Sequence, residues 1–152
     1  MPLNSPHRRD ILSILEHALR AVEPRQAVLQ HMSLDGDRLT VGDQAVDLAR
    51  VERILVVGAG KAGAPMAAAA QQVFGSRVTA GQVNVKHGHL APAGDWRLRF
   101  APGDADVPTP ATDATGATTR VASTGAVALS EAGHPVPDAA GMAGAERIVS
   151  LL

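Results

Sequence analysis

Six consecutive residues, Gly58-Ala59-Gly60-Lys61-Ala62-Gly63, carry the spacing G-x-G-x-x-G between the apolar run Ile54 to Val57 and an alanine-rich segment opening at Ala64-Pro65-Met66. Glycines at these positions let a chain turn sharply from a strand into a helix. They also leave backbone N–H groups uncovered at the positive end of the helix, an arrangement that attracts anions. Strand before and helix after is the context the dinucleotide fingerprint needs. A dehydrogenase would also place Asp or Glu at the end of the second strand, to hold a ribose hydroxyl. Here that region reads Val83-Asn84-Val85-Lys86-His87, without a carboxylate. A basic end suits a 2′-phosphate, so an NAD(P) reading is weakened and stays open. The P-loop pattern fails, because Ala62 follows Lys61 where Ser or Thr would bind magnesium. What remains is an anion nest of Gly58, Ala59 and Gly60 with a lysine in it. Lys61 is electrostatically misplaced at a helix start, where the dipole is already positive. Either it points into water or it shares an anion with the N–H groups. Phosphoryl transfer calls for the second arrangement, positioned positive charge around the moving phosphate.

A second cluster, Lys86-His87-Gly88-His89, falls at the carboxyl end of the next expected strand, the edge where open α/β sheets bind ligands. His87 and His89 lie two apart on an extended chain, and with His134 they invite a metal. No cysteine supports that, no carboxylate backing the histidines is read from the sequence, and no metal site is assigned. His134, between Gly133 and Pro135, is either a turn histidine packing on a loop or a rigidly held donor to a substrate hydroxyl or phosphate.

The elements that must position these residues follow from periodicity and punctuation. Ser5-Pro6 is an N-cap and first-turn pair, and Ile11, Leu15, Ala18, Leu19 and Val22 recur at helical spacing, so a first helix ends before Pro24. Pro24 opens a short second helix through Ala27, Val28 and Met32. Asp35-Gly36-Asp37 and Gly42-Asp43 then punctuate two extended runs, Leu39 to Val41 and Ala45 to Leu48, a surface hairpin. Ile54 to Val57 is too short for a helix and mostly β-branched, which predicts a parallel strand buried on both faces. A helix from Ala62 to Phe74 stops at Gly75. Val78 to Lys86 is the next strand, with Val83 and Val85 on one side and Gln82, Asn84 and Lys86 on the other. The run Ala67 to Ala70 lets that helix lie close to the sheet. Residues 91–124 are rich in Pro, Gly, Ala, Thr and Asp and read as a long loop, with Trp96 to Phe100 as a short strand. Ala126 to Glu131 is another strand, and Asp138 or its neighbour caps a final helix, Ala139 to Leu152. The order implies an α/β fold, a Rossmann-like parallel sheet with helices on both faces.

Composition narrows the classes. A chain of 152 residues with 45% apolar content and a formal charge of −1 has the make-up of one globular domain. Its mixed charges give no basic arm for nucleic acid and no cluster for a membrane surface. There is no cysteine, no apolar signal core near Met1 and no apolar run of membrane-spanning length, so the chain reads as cytoplasmic.

Three blocks, taken together, resemble the glycerate 2-kinases of the MOFRL type, many of them labelled hydroxypyruvate reductase: Arg53 to Met66, Val78 to His89, and Ala132 to Asp138 (AGHPVPD). The amino-terminal helix and hairpin fit as well, as residues 1–50 leading into the domain. The resemblance implies ATP-dependent phosphorylation of D-glycerate at its 2-hydroxyl, with magnesium, Lys61 being a catalytic or substrate-binding lysine. His89 and His134 fall in its signature segments, and Lys86 beside them joins the phosphate- and substrate-binding set. Two departures stand out. Residues 102–124 look inserted, and the chain resembles an amino-terminal fragment lacking the carboxyl-terminal domain, inactive by itself. On that expectation the final helix has no sheet to cover and exposes Ile148, Val149, Leu151 and Leu152 to a partner, a second copy or aggregation. The alternatives are an NAD(P)-linked hydroxypyruvate reductase and a non-catalytic Rossmann-like module that docks on another chain.

Overall fold

The computed structural model describes residues 6–90 and 121–152. The expected strand Trp96 to Phe100 and most of the expected loop and insertion lie outside the described residues.

Helix α1, Pro6–Ala21, ends three residues before Pro24. Its apolar stripe is not covered: Ile11, Ile14, Leu15 and Leu19 are all exposed, as is Val22 just beyond it. Helix α2, Pro24–His31, starts on a proline at its first position, and the Glu23 carboxylate caps it by accepting from the Arg25 and Gln26 amides. The hairpin expected next is a three-stranded antiparallel meander, β1 (Met32–Asp35), β2 (Arg38–Val41) and β3 (Gln44–Asp47). Met32 thus leaves the helix assigned to it and begins a strand. Each two-residue loop opens on a glycine with positive φ, Gly36 at 56° and Gly42 at 58°, the conformation a tight hairpin of type II′ needs at that position. Arg77 ties the meander to the rest of the molecule. Its guanidinium donates to the Gly36 carbonyl at 2.9 Å and pairs with Asp37 at 2.8 Å.

The main sheet has the order β4-β5-β7-β6, from β4 (Ile54–Ala59), β5 (Val78–Lys86), β6 (Val121–Thr124) and β7 (Val127–Ala132). β4, β5 and β7 run parallel, and β6 is an antiparallel strand beside β7. The sheet is therefore mixed, and Val121–Thr124, read from sequence as the end of the loop, is its edge. The expectation that Ile54 to Val57 is buried on both faces is also corrected. Among the described residues β4 pairs only with β5, and Val57 is 45% exposed. An edge strand has one neighbour to cover it, and β-branched composition reports strand propensity without reporting position in the sheet.

Helix α3, Gly63–Phe74, ends on Gly75 with φ 56° and packs on one face of the sheet. Ala64 and Ala67 are buried there with Val83, Val85, Val127 and Leu129, so small side chains do bring the helix close. Helix α4, Ala139–Leu151, lies against β5 and β7 on the opposite face, the one carrying Gln82 and Asn84. The expectation that the last helix has no sheet to cover fails. Ile148 and Leu151 are half-buried, while Val149 and Leu152 stay exposed. The layer under α4 is polar. The Gln82 side-chain amide donates to Ser130 Oγ at 3.0 Å and to Asn84 Oδ1 at 3.1 Å, and Arg147 donates to the same Ser130 oxygen at 3.1 Å. Among the described residues no buried side-chain nitrogen or oxygen is left without a partner.

Candidate active site

β4, β5 and β7 are parallel, so their carboxyl ends open on one edge, and the three sequence blocks arrive there together. β4 delivers Gly58, Ala59, Gly60 and Lys61. β5 delivers Lys86, and the segment after β7 delivers Gly133 and His134. Two clefts flank a shared wall of Ala59, Gly60 and His134. The larger, about 720 Å³, is lined by Gly58, Lys61, Ala62 and Gly63 at one end and by Val28, Met32 and Met66 at the other. The smaller, about 450 Å³, takes Asn84, Lys86, Gly133 and Gly141. His89 lines neither cleft. It closes the turn after β5, its amide donating to the Lys86 carbonyl at 3.0 Å, and its Nδ1 lies 3.1 Å from the His87 carbonyl.

The glycines act differently from a simple uncovered nest. Gly60 has φ 129°, a conformation side chains rarely adopt, and its amide is committed to the Asn84 carbonyl at 2.9 Å. The Gly63 amide donates to the Gly60 carbonyl at 3.1 Å. The donors left for an anion are therefore the next ones along. Among the described residues the Lys61, Ala62 and Ala64 amides have no backbone acceptor, as the first turn of a helix dictates. Gly63 serves packing. A Cβ there would stand 2.7 Å from Val83 Cγ1 and 3.1 Å from Val85 Cγ1, so only glycine lets α3 begin this close to β5. Lys61 is exposed, and neither Lys61 nor Lys86 pairs with a carboxylate among the described residues. Both ammonium groups are available to an anion.

Sequence reasoning found no carboxylate for the histidines, yet the fold brings two to His87. Its Nδ1 is 3.7 Å from Glu131 Oε2, and its Nε2 is 3.3 Å from Asp138 Oδ2. Glu131 is only 3% exposed, on the last full turn of pleat in β7. Asp138 caps α4, accepting from the Gly141 amide at 2.8 Å. The Gly133 and Gly141 amides facing its carboxyl, and then His87, hold Asp138 below the usual aspartate range. The available signal was a carboxylate inside an apolar strand, at Ser130-Glu131. Among the described residues no group of three or more His, Asp or Glu is arranged to hold a metal ion.

Residues 10–152 match a family described as a domain of unknown function, DUF4147. The chain belongs to the DUF4147 family. That family is found in glycerate kinase-like proteins. Among solved structures, the DUF4147 chain is similar to the PH0495 protein from Pyrococcus horikoshii OT3, with a TM-score of 0.61 at 22% sequence identity over 99% of this chain. At that identity the likeness establishes the fold. The chain spans 26% of that protein's length. No curated protein matches it. No helix among the described residues is long and apolar enough to cross a membrane.

Proposed function

We propose that this DUF4147 chain contributes the substrate- and phosphate-binding edge of a glycerate 2-kinase of the MOFRL type, phosphorylating the 2-hydroxyl of D-glycerate with ATP as part of a longer enzyme. The observation that carries the reading is the meeting, at one sheet edge, of Lys61 with its open helix-start amides, Lys86 and His134 around two clefts. A small hydroxy acid and a phosphate are both anionic, and two lysines without carboxylate partners among the described residues give each a counter-charge.

In this reading Lys61 and the Lys61, Ala62 and Ala64 amides hold phosphate oxygens and stabilise charge that builds on the moving phosphoryl group. Lys86 takes the carboxylate of glycerate, and His134, exposed on the wall between the clefts, hydrogen bonds the hydroxyl or the phosphate. These donors fit phosphate oxygens. They do not fit magnesium, because neither cleft is lined by a carboxylate among the described residues.

The test is a coupled assay for 2-phosphoglycerate with D-glycerate, ATP and magnesium, using this domain joined to the remainder of a glycerate kinase-like polypeptide. Product formation lost in Lys61→Ala is expected. Reduction of hydroxypyruvate by NADPH with no phosphorylated product would overturn it in favour of the reductase.

A further inference from the structure

Glu131 is a buried carboxylate that neither cleft uses. Placing a carboxylate where water cannot reach it is costly unless donors meet it, so its partners indicate what it holds. It sits opposite Val85 in the β5–β7 register, on the face covered by α3. One oxygen accepts the Gly88 amide at 2.6 Å, and the other faces His87 Nδ1 at 3.7 Å. Gly88 and His87 are the two central residues of the turn that follows β5, where Gly88 has φ 79° and the His89 amide closes the loop onto the Lys86 carbonyl. Glu131 therefore grips this turn from beneath.

The turn then reaches across the sheet edge. His87 Nε2 lies 3.3 Å from Asp138 Oδ2, a pairing 51 positions apart in sequence. The second Asp138 oxygen accepts from Gly141, and the Gly133 amide faces the same carboxyl. His87 therefore stands between two carboxylates, within hydrogen-bond distance of Asp138 through Nε2 and 3.7 Å from Glu131 through Nδ1. The chain Glu131–His87–Asp138 thus joins three elements: β7, the turn after β5, and the start of α4. Lys86 precedes the turn, and His134 lies in the loop that ends at Asp138. Both residues line the cleft of about 450 Å³.

We propose that Glu131 and His87 are positioning residues, a clamp that sets the distance between the turn carrying Lys86 and the loop carrying His134. They touch no substrate. Their role rests on the glycerate kinase reading only for what the cleft binds, since the mechanical link is independent of it.

Two readouts test the clamp on the full 152-residue chain. The first is amide hydrogen exchange at Gly141 in the wild type, Glu131→Gln and His87→Ala. Glutamine keeps an acceptor for Gly88 and removes the charge, so it stands in where His87→Ala fails to fold. Exchange at Gly141 is expected to quicken about tenfold, with the Ala67 to Ala70 amides of α3 unchanged; wild-type protection of Gly141 in Glu131→Gln overturns the clamp. The second is titration with 2-phosphoglycerate followed by amide shifts. A Kd raised about tenfold in Glu131→Gln is expected, whereas a lowered Tm with a wild-type Kd makes Glu131 merely structural and overturns the positioning role. If the wild type does not respond to 2-phosphoglycerate, the cleft of this chain does not take that ligand by itself, the kinase reading is decided by the coupled assay on the longer polypeptide, and the Gly141 exchange decides the clamp.

Discussion

Substituting Gly63 by alanine tests how the anion-binding end of α3 is held against the sheet. A methyl group at that position meets Val83 Cγ1 at 2.7 Å, Val85 Cγ1 at 3.1 Å and the Asn84 carbonyl at 3.7 Å. Val83 and Val85 are 3% and 1% exposed, so neither has open space to move into. Overpacking of a well-filled core costs about 1–3 kcal/mol. Alanine in place of glycine returns about 0.5–1 kcal/mol through helix propensity. The net expectation is a loss of about 1–2 kcal/mol, which at a urea slope of about 1.5 kcal/mol/M lowers the midpoint by roughly 1 M. Val83→Ala removes the closest atom. In that background Gly63→Ala should cost about 1 kcal/mol less, the non-additivity expected of residues in contact. Equilibrium urea unfolding of the two single variants and the double variant supplies all the numbers. An alanine variant as stable as the wild type, or additive costs in the double variant, would refute the claim that this glycine is kept for close approach.

Three further outcomes follow from the same geometry. Lys61→Ala should leave stability within about 0.5 kcal/mol, because the side chain is exposed and unpaired among the described residues, while phosphoryl transfer is lost; an unfolding curve and a turnover assay on one preparation check both halves. Ser130→Ala removes the acceptor shared by Gln82 and Arg147 in the buried layer under α4, and a loss of about 1–3 kcal/mol is expected in urea unfolding. The folded state holds the Asp138 carboxyl below its ordinary value of 3.8, so its stabilising contribution is present above that pH and drains away as pH falls through the lower folded value. Asp138→Asn should therefore flatten the acid limb of stability against pH, and an acid limb as steep as the wild type's would contradict the assignment.

Much of the sheet edge is legible in the sequence because its determinants are local. The glycine spacing, the stop at Gly75 and the alternation of Val83 and Val85 against Gln82 and Asn84 each depend on neighbours a few residues away. The functions of Gly60 and Gly63 are less so: one holds a φ that would strain any residue with a side chain and the other is crowded by a strand some twenty residues on. The strand Met32–Asp35 was hidden by the helix before it, since Met32 also suits the apolar spacing of Ala27 and Val28. The half-exposure of β4 depends on what lies beside it, which composition does not encode. The Glu131–His87–Asp138 chain is the furthest from view. Its contacts join Gly88 to Glu131 across 43 positions and His87 to Asp138 across 51, and no periodic pattern reports such a meeting.

The edge formed by Gly58 to Lys61, Lys86 and His134 is proposed to serve phosphoryl transfer to glycerate. The most direct measurement is phosphorus NMR of the domain within its glycerate kinase-like polypeptide, incubated with D-glycerate, ATP and magnesium. A 2-phosphoglycerate signal that vanishes in Lys61→Ala is predicted. An unchanged signal in Lys61→Ala, or no signal beside steady NADPH-dependent loss of hydroxypyruvate, would contradict it.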